Sequence, residues 1–470
     1  MEKVIGQNVW YNWCTSDEST GILNWMFQNN LWVEIQKDSR SVYLAPKATT
    51  TTMWNNTTDW FCQKVLPHFD LNVYTFYANW KVYKWSSSYW TKTAELSIKN
   101  AIYFPMSAGW GAWSSDFVVT SNTKISRIKA GTLTAYEDFD THWGGQYTPM
   151  IVFLGDLYIG SWNVIYKLTS TAVKTTACTV SSDEAIIALL PKWSQIIIVT
   201  TRRIYYWDWI DSLPQDVLPY SRYVIRWSEI IGNKTYIFAD DSAYSYILSP
   251  NGLWYDELFK KPILSDNSPK VASYGGINDT TVVGKTVYFT SIGWISTYWS
   301  NFLWMPDAYS RPFSISWWVN AMEYDQNTGR MYVWHYNTPD WWVTYTNYLT
   351  EYNLSFSGNE YVSTGNIVTL PFYSDYVSDE KKWTSMQVWF SLNHTSCSID
   401  VYKSIDNGSW TLIKTLNTTD YWTWTNKAIL SVVDTFHNIR FKFTLNTSNS
   451  GYTPKLHDYK FKYDTTKQFI

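Results

Sequence analysis

Residues able to do chemistry are sparse and scattered along this 470-residue chain. Gly284-Lys285-Thr286 has the ending of a phosphate loop, in which backbone N–H groups and a lysine hold phosphate oxygens. That loop needs another glycine five residues before Gly284, where Asp279 stands, and a helix after it. A strand-like run follows instead, so nucleotide binding is not expected. Glu137, Asp138, Asp140 and His142 lie within six residues and offer ligands to a cation, but without calcium-loop spacing; a solvated acidic loop is the expectation. Asp240 and Asp241 read as hairpin-turn residues. The six histidines (His68, His142, His335, His394, His437 and His457) form neither HxH nor HxxxH pairs for a metal. No Ser-His-Asp order can be argued from spacing alone. Carboxylates gathered from distant segments could still cleave a glycosidic bond, the one enzymatic chemistry left open. No catalytic, cofactor-binding or metal-ligating residue is assigned, and the chain is expected not to be an enzyme. Cys14, Cys62, Cys178 and Cys397 form no CxxC pair and are expected to be reduced and mostly buried, with a Cys14–Cys62 disulfide as the open alternative.

Composition narrows the partners. Charged residues are 16% of the chain and the formal net charge is −3, which gives nucleic acid and anionic membranes no electrostatic hold. With 45% hydrophobic residues, the chain can bury a core. No apolar run is long enough to span a bilayer as a helix. Met1 to Trp10 lacks the apolar stretch of a secretory signal peptide, so none is expected.

The elements that must position these residues read as strands almost throughout. Short runs rich in Val, Ile, Tyr, Phe and Thr alternate with Gly, Asn, Asp, Ser and Pro clusters. One figure recurs: Asp156-Leu157-Tyr158-Ile159-Gly160, a tight turn, then Val164-Ile165-Tyr166-Lys167-Leu168. Its copies centre on Tyr83, Val118, Tyr158, Ile197, Tyr236, Tyr288 and Tyr332, at intervals of 35, 40, 39, 39, 52 and 44 residues. Such spacing suits four-stranded blades, each of which needs neighbours to cover its apolar faces. The expected fold is all-β: a β-propeller of about seven blades followed by a C-terminal β-sandwich. The spacing alone also admits six or eight blades. The expected boundaries are 1–70 for an N-terminal strand or arm segment, 71–360 for the propeller and 361–470 for the sandwich. Within 1–70, Trp32 to Ala45 reads as strands, and Thr49–Thr52 and Asn55–Thr58 as loop. In the last segment Ile439, Phe441, Phe443 and Leu445 alternate with Arg440, Lys442 and Thr444, so one face is buried and the other solvated.

The chain holds 31 Trp but only 20 Gly, whereas glycine averages roughly 7% of residues and tryptophan is rare. Trp80, Trp193 and Trp209 stand where turns favour glycine. In the repeat register Trp80 aligns with Gly155 and Gly329, and Trp85 and Trp334 with Gly160. We hypothesise that many of these tryptophans are UGA codons read as glycine in the natural host; the alternative is a Trp-rich, sugar-binding surface. UGG codons at Trp80, Trp85 and Trp334 would sink the hypothesis.

Two resemblances bear on function. Ser404-Ile405-Asp406-Asn407-Gly408-Ser409-Trp410 partly resembles the Asp-box of propeller sialidases, but lacks its Thr and falls in the sandwich segment. Residues 150–223 carry Val152-Phe153-Leu154-Gly155-Asp156-Leu157-Tyr158-Ile159-Gly160, then Ile187-Ala188-Leu189-Leu190-Pro191, then Ile204-Tyr205-Tyr206-Trp207-Asp208, closing on Leu213-Pro214-Gln215-Asp216-Val217-Leu218-Pro219-Tyr220. This order resembles the bacteriophage tail or neck β-propeller proteins, the group of tail-nozzle-like components. The closing run from Thr453-Pro454 to Tyr463 is similar to the final strand of sandwich domains in such virion proteins. The resemblance implies a virion structural protein, assembled in the host cytoplasm without cofactor. It implies homo-oligomer formation and contacts with other virion proteins. A carbohydrate-binding adhesin, with cell-surface glycan as partner, is the alternative.

Overall fold

The computed structural model describes residues 2–7, 27–31, 33–34, 41–52, 62–68, 72–77, 81–86, 89–94, 98–104, 116–121, 123–129, 136–141, 148–192, 194–210, 213–218, 225–231, 234–239, 242–249, 252–259, 279–284, 286–291, 294–299, 308–314, 318–337, 346–354, 360–369, 371–372, 380–431 and 434–465. Among these there is no helix, and hence none long and apolar enough to cross a membrane.

Seven four-stranded antiparallel sheets form a ring. Blade 1 comprises Cys62–Pro67, Val73–Tyr77, Lys81–Ser86 and Tyr89–Ala94. Blade 2 runs from Asn100–Tyr103 to Tyr136–Thr141, blade 3 from Met150–Phe153 to Lys174–Thr179, and blade 4 from Ile186–Lys192 to Gln215–Leu218. Blade 5 runs from Ile225–Ile231 to Gly252–Phe259 and blade 6 from Thr280–Val283 to Ala308–Ser314. Blade 7 takes Trp318–Asp325, Arg330–Asn337 and Thr346–Asn353, and its fourth strand is Ala48–Thr52, from the far end of the chain. The first strand of each blade touches that of the next, and blade 7 meets blade 1, so the ring closes. The apolar faces of neighbouring blades thus bury one another. Leu66, Tyr74, Phe76 and Val82 of blade 1 pack with Ala101, Phe117, Val119 and Ile128 of blade 2.

Repeat spacing predicts all seven blades, with one slip in register. Val118, Tyr158, Ile197, Tyr236, Tyr288 and Tyr332 all fall on the second strand of their blade, but Tyr83 falls on the third strand of blade 1. The second strand there is Val73–Tyr77, whose composition is equally strand-like. The alignment of Trp80 and Trp85 with blade glycines therefore fails, while Trp334 keeps its match to Gly160. The third and fourth strands of blades 1 to 6 also share a register shift that the sequence does not display. A bulge there sharpens the twist of the outermost strand. Blade 7, whose fourth strand comes from elsewhere in the chain, has a continuous register at that pairing.

Residues 1–70 do not form a separate arm. Glu2–Gln7 pairs along Lys455–Thr465, and Val42–Leu44 lies between Val33–Glu34 and the same long strand. Phe27–Leu31 pairs with Thr364–Thr369. These strands complete two sheets of seven and five strands built on Lys381–Ser391, Cys397–Ile405, Ile439–Thr447 and Lys455–Thr465. Thr49–Thr52, expected as loop, lies in the strand that completes blade 7, because its threonines pair with the open edge of Thr346–Asn353. Asn55–Thr58 lies outside the described residues. The expected alternation along Ile439–Thr447 is seen as strictly alternating burial. Its inward residues join Trp383, Phe436 and Phe461 in one core between the sheets.

The propeller is thus inserted into the sandwich, and the two crossings run side by side. Lys47 N–H donates to the Glu360 carbonyl at 2.6 Å, and Val362 N–H to the Ala45 carbonyl at 3.0 Å. Ala45, Ala48 and Val362 pack with the blade 6–blade 7 core around Tyr288, Met322 and Tyr352.

Candidate functional site

Ring closure brings a lysine and two carboxylates together. The first strand of blade 1 supplies Lys64, and that of blade 7 supplies Glu323; Nζ and Oε2 meet at 2.6 Å across the seam. Asp279, just before the first strand of blade 6, is buried beside them. Its Oδ1 accepts the Thr280 N–H at 2.9 Å, and its Oδ2 accepts the Met322 N–H of blade 7 at 2.6 Å. Burial pushes its carboxyl up to about 7, against the pull of Lys64 and of these backbone donors. Such a value is in the range of a general base, but the carboxyl is buried and both of its oxygens accept backbone N–H groups. Its geometry ties blade 6 to blade 7. Tyr77 and Trp334 continue the seam, with the indole Nε1 donating to the tyrosine oxygen at 2.8 Å.

A second buried carboxylate has the same structural character. Glu184, in the link between blades 3 and 4, accepts from Thr200 Oγ1 at 2.5 Å and from the Tyr205 hydroxyl at 3.1 Å. Arg203 Nε lies 3.0 Å away as an ion pair.

The residues considered from sequence disperse in the fold. Gly284 sits in the hairpin between the first two strands of blade 6 at φ +62°, where glycine is needed, and a strand follows it. Glu137, Asp138 and Asp140 lie on Tyr136–Thr141, the outer strand of blade 2, and not in a loop. His142, Asp240, Asp241 and Cys14 lie outside the described residues. His68 packs edge-on to Tyr74 and against Tyr103 and Phe117. His335 Nε2 pairs with Thr350 Oγ1, and His457 bridges Ser41 and Ser391. His394 stacks on Tyr452 at 4.0 Å, and His437 faces Asp406. Among the described residues no group of three or more His, Cys, Asp or Glu is placed to share a metal. Cys62, Cys178 and Cys397 are free and buried; burial pushes the Cys178 thiol up to about 12 and raises the other two, so all three stay protonated.

The Asp-box-like hairpin is a structural cap. Asp406 and Asn407 take φ +48° and +61°, and Gly408 N–H closes the turn on the Ile405 carbonyl at 2.7 Å. Asp406 Oδ1 accepts the N–H groups of His437 and Asn438. Partial burial alone would raise this carboxyl; those donors and His437 hold it below the usual range.

Aromatic side chains reach solvent at several points. Trp422 and Trp424 stack with ring centroids 5.1 Å apart and planes within 6°, and both are largely exposed. Asn426 Nδ2 donates to both of their carbonyls at 2.6 Å, which fixes the loop. Trp389 carries Lys427 and Lys460 over its ring at 5.0 and 5.2 Å. Trp162 and Trp209 adopt φ +53° and +60°, a backbone region that bulky side chains rarely occupy. Trp209 is thus left-handed, as its place after Asp208 suggested; Trp162 escaped the sequence reading because no Asp or Asn precedes it. Trp334 is different: its indole fills the blade 7–blade 1 core, whereas a Cβ at Gly160 would meet Pro149 Cγ at 2.8 Å.

No family model matches the chain, and no curated protein matches it. Among solved structures it is similar to virginiamycin B lyase from Staphylococcus aureus, at 10% identity over 66% of this chain and 99% of that one, TM-score 0.49. It is likewise similar to the RRP9 WD40 repeats, at 11% identity over 66% and 99%, TM-score 0.48. A third is YCF48 from Cyanidioschyzon merolae, at 9% identity over 65% and 98%, TM-score 0.44. Nothing about activity or partners passes across identities this low.

Proposed function

We propose that the protein is a non-enzymatic structural subunit of a phage tail or neck, acting through contacts with copies of itself and with other virion proteins. The observation that carries this reading is the way the two units are joined. The chain enters and leaves the propeller on two paired segments, and its N-terminal strands complete both the sandwich and blade 7. Separating the units would break strand pairing in both, a construction suited to holding position in an assembly. The buried carboxylate Asp279 serves the same end, tying blade 6 to blade 7, and Glu184 fastens the link that follows blade 3 onto blade 4. The test is proteomics of purified particles with immunogold labelling. Label at the tail or neck is expected; a protein missing from particles overturns the reading.

A carbohydrate-binding role has one observation in its favour, the exposed Trp422–Trp424 stack, since flat aromatic faces bind sugar rings. Glycan-array binding lost on Trp422→Ala with Trp424→Ala would establish it.

We also propose that some printed tryptophans are glycines in the natural protein. Trp162 and Trp209 hold left-handed backbone. Trp193 falls between the first two strands of blade 4, where blades 3, 6 and 7 have left-handed Gly155, Gly284 and Gly329. With the printed sequence as starting point, Trp162→Gly and Trp209→Gly are each expected to add about 1 kcal/mol of stability, the left-handed penalty of a non-glycine residue. Loss of stability in both would count against glycine there. Intact mass of the natural protein decides directly: a deficit of several indole side chains supports recoding, and an unreduced mass removes it and leaves the Trp422–Trp424 platform standing.

A further inference from the structure

We propose that the outer face of the five-stranded sandwich sheet binds an anionic saccharide, with its acidic group held by Lys442 and Arg440. This goes beyond the assembly reading without depending on it, and the surface is separate from the Trp422–Trp424 stack.

Strand register builds the face. Lys442, on Ile439–Thr447, lies opposite Tyr402 on one side and Val368 on the other, and Tyr402 lies opposite Leu412. These four residues form one row across four paired strands. Leu412 is 49% exposed. In the next row Asp400 lies between Thr444 and Thr415. Its Oδ1 accepts from Thr415 Oγ1 at 2.6 Å, and its Oδ2 from Asn446 Nδ2 at 2.9 Å. Thr364 Oγ1 donates to Asn446 Oδ1 at 2.8 Å. An apolar row thus adjoins a ladder of hydroxyl, amide and carboxylate groups.

Lys442 is a cation in the apolar row. Its Nζ lies 4.4 Å from the centroid of the Tyr402 ring and 5.1 Å from that of Trp410. Among the described residues no carboxylate pairs with it, and loss of solvent holds its ammonium below the ordinary lysine range. An aromatic face attracts a cation but does not neutralise it. Arg440 stands two residues earlier on the same strand, so alternation puts it on the same face, roughly 7 Å along. Two like charges held on one face favour an anion between them. Register alone places both, so the pair stands with or without the Trp410 indole.

The surroundings fit a sugar. A sugar ring has an apolar face and a rim of hydroxyls. Tyr402 and Leu412 supply apolar surface beside the cations, and Thr415, Asn446 and Thr364 supply polar partners for hydroxyls. Asp400 sets the direction: it repels a second acidic group, so the acid lies at Lys442 and the hydroxyls at the ladder.

The test is calorimetric titration of the full-length protein with an oligogalacturonate. A neutral oligogalactoside of equal length, acetate and an oligoaspartate peptide run beside it. The acidic sugar is expected to bind most tightly, and Lys442→Gln to weaken it about tenfold. Arg440→Gln is expected to do the same, and gives a second reading should the first variant fail to fold. Lys414→Gln, on the neighbouring edge strand, is expected to leave the affinity unchanged. So is Trp422→Ala with Trp424→Ala. A wild type that ignores the acidic sugar overturns the proposal, as does one that holds the neutral sugar, acetate or the peptide as tightly. Full affinity in either folded cation variant overturns it too. Binding lost in the Trp422–Trp424 variant but kept in Lys442→Gln overturns this site and supports the stack.

Discussion

The stability gap between the wild type and Asp279→Asn is expected to shrink by about 2–3 kcal/mol between pH 5 and pH 8. The unfolded carboxyl ionises near its ordinary value of 3.8, whereas the folded one, desolvated at the blade 6–blade 7 seam, holds its proton to about 7. Between those values the folded chain keeps a proton that the unfolded chain has released. Stability from this group is therefore fully present below the unfolded value and is lost as pH rises through the folded one. Asparagine does not titrate. Its amide oxygen can accept from Thr280 or Met322, but its NH₂ group faces the other N–H. The variant starts less stable at pH 5, and the wild type loses its advantage on the way to pH 8. Other groups facing the cluster are Lys64 and Glu323, with Cys62 on the same strand as Lys64. They are common to both proteins, so the difference isolates Asp279. Denaturant unfolding at several pH values measures it. A gap independent of pH would mean that Asp279 is ionised and compensated in the fold.

Phe461→Ala is expected to destabilise the sandwich by about 3–5 kcal/mol. Phe461 is completely buried at the centre of an aromatic cluster. Its ring lies 5.0 Å from Phe441, 5.6 Å from Trp383 and Tyr463, 5.8 Å from Phe436 and 6.0 Å from Phe372. These partners come from both sheets, so the core cannot close over the gap by moving one strand. Phe461 also lies on the strand that pairs with Glu2–Gln7 and Lys381–Ser391, and loosening it weakens both pairings. Near-UV circular dichroism of the aromatic cluster, followed through denaturant unfolding, reports on this unit. A loss under about 1 kcal/mol would show that the cluster is not packed as described.

Much of this architecture is legible in the sequence. Period-two alternation along Ile439–Thr447 marks a half-buried strand by itself, because side chains on a strand point to opposite faces in turn. The blade repeat shows because each blade meets the same demand, two apolar faces and tight turns, at a nearly constant chain interval. The left-handed backbone at Trp209 was suggested by Asp208 beside it. These signals are local, and local geometry is what a linear sequence encodes most directly.

Other features depended on partners far away in the chain. Ala48–Thr52 is a threonine run with no apolar alternation, and only the open edge of Thr346–Asn353, some 300 residues later, makes it a strand. The N-terminal strands belong to the sandwich for the same reason: their hydrogen-bond partners lie at the other end of the chain. Asp279 carries no sequence signal, since its role arises from Met322 and Lys64 meeting it across two blade seams. The sequence by itself determined the strand periodicity, the blade repeat and the presence of two all-β architectures, but not that one is inserted into the other. Tertiary structure alone decided how the ring closes, which distant strands complete each sheet and which carboxylate is desolvated, because pairing and burial depend on groups that sequence distance does not relate.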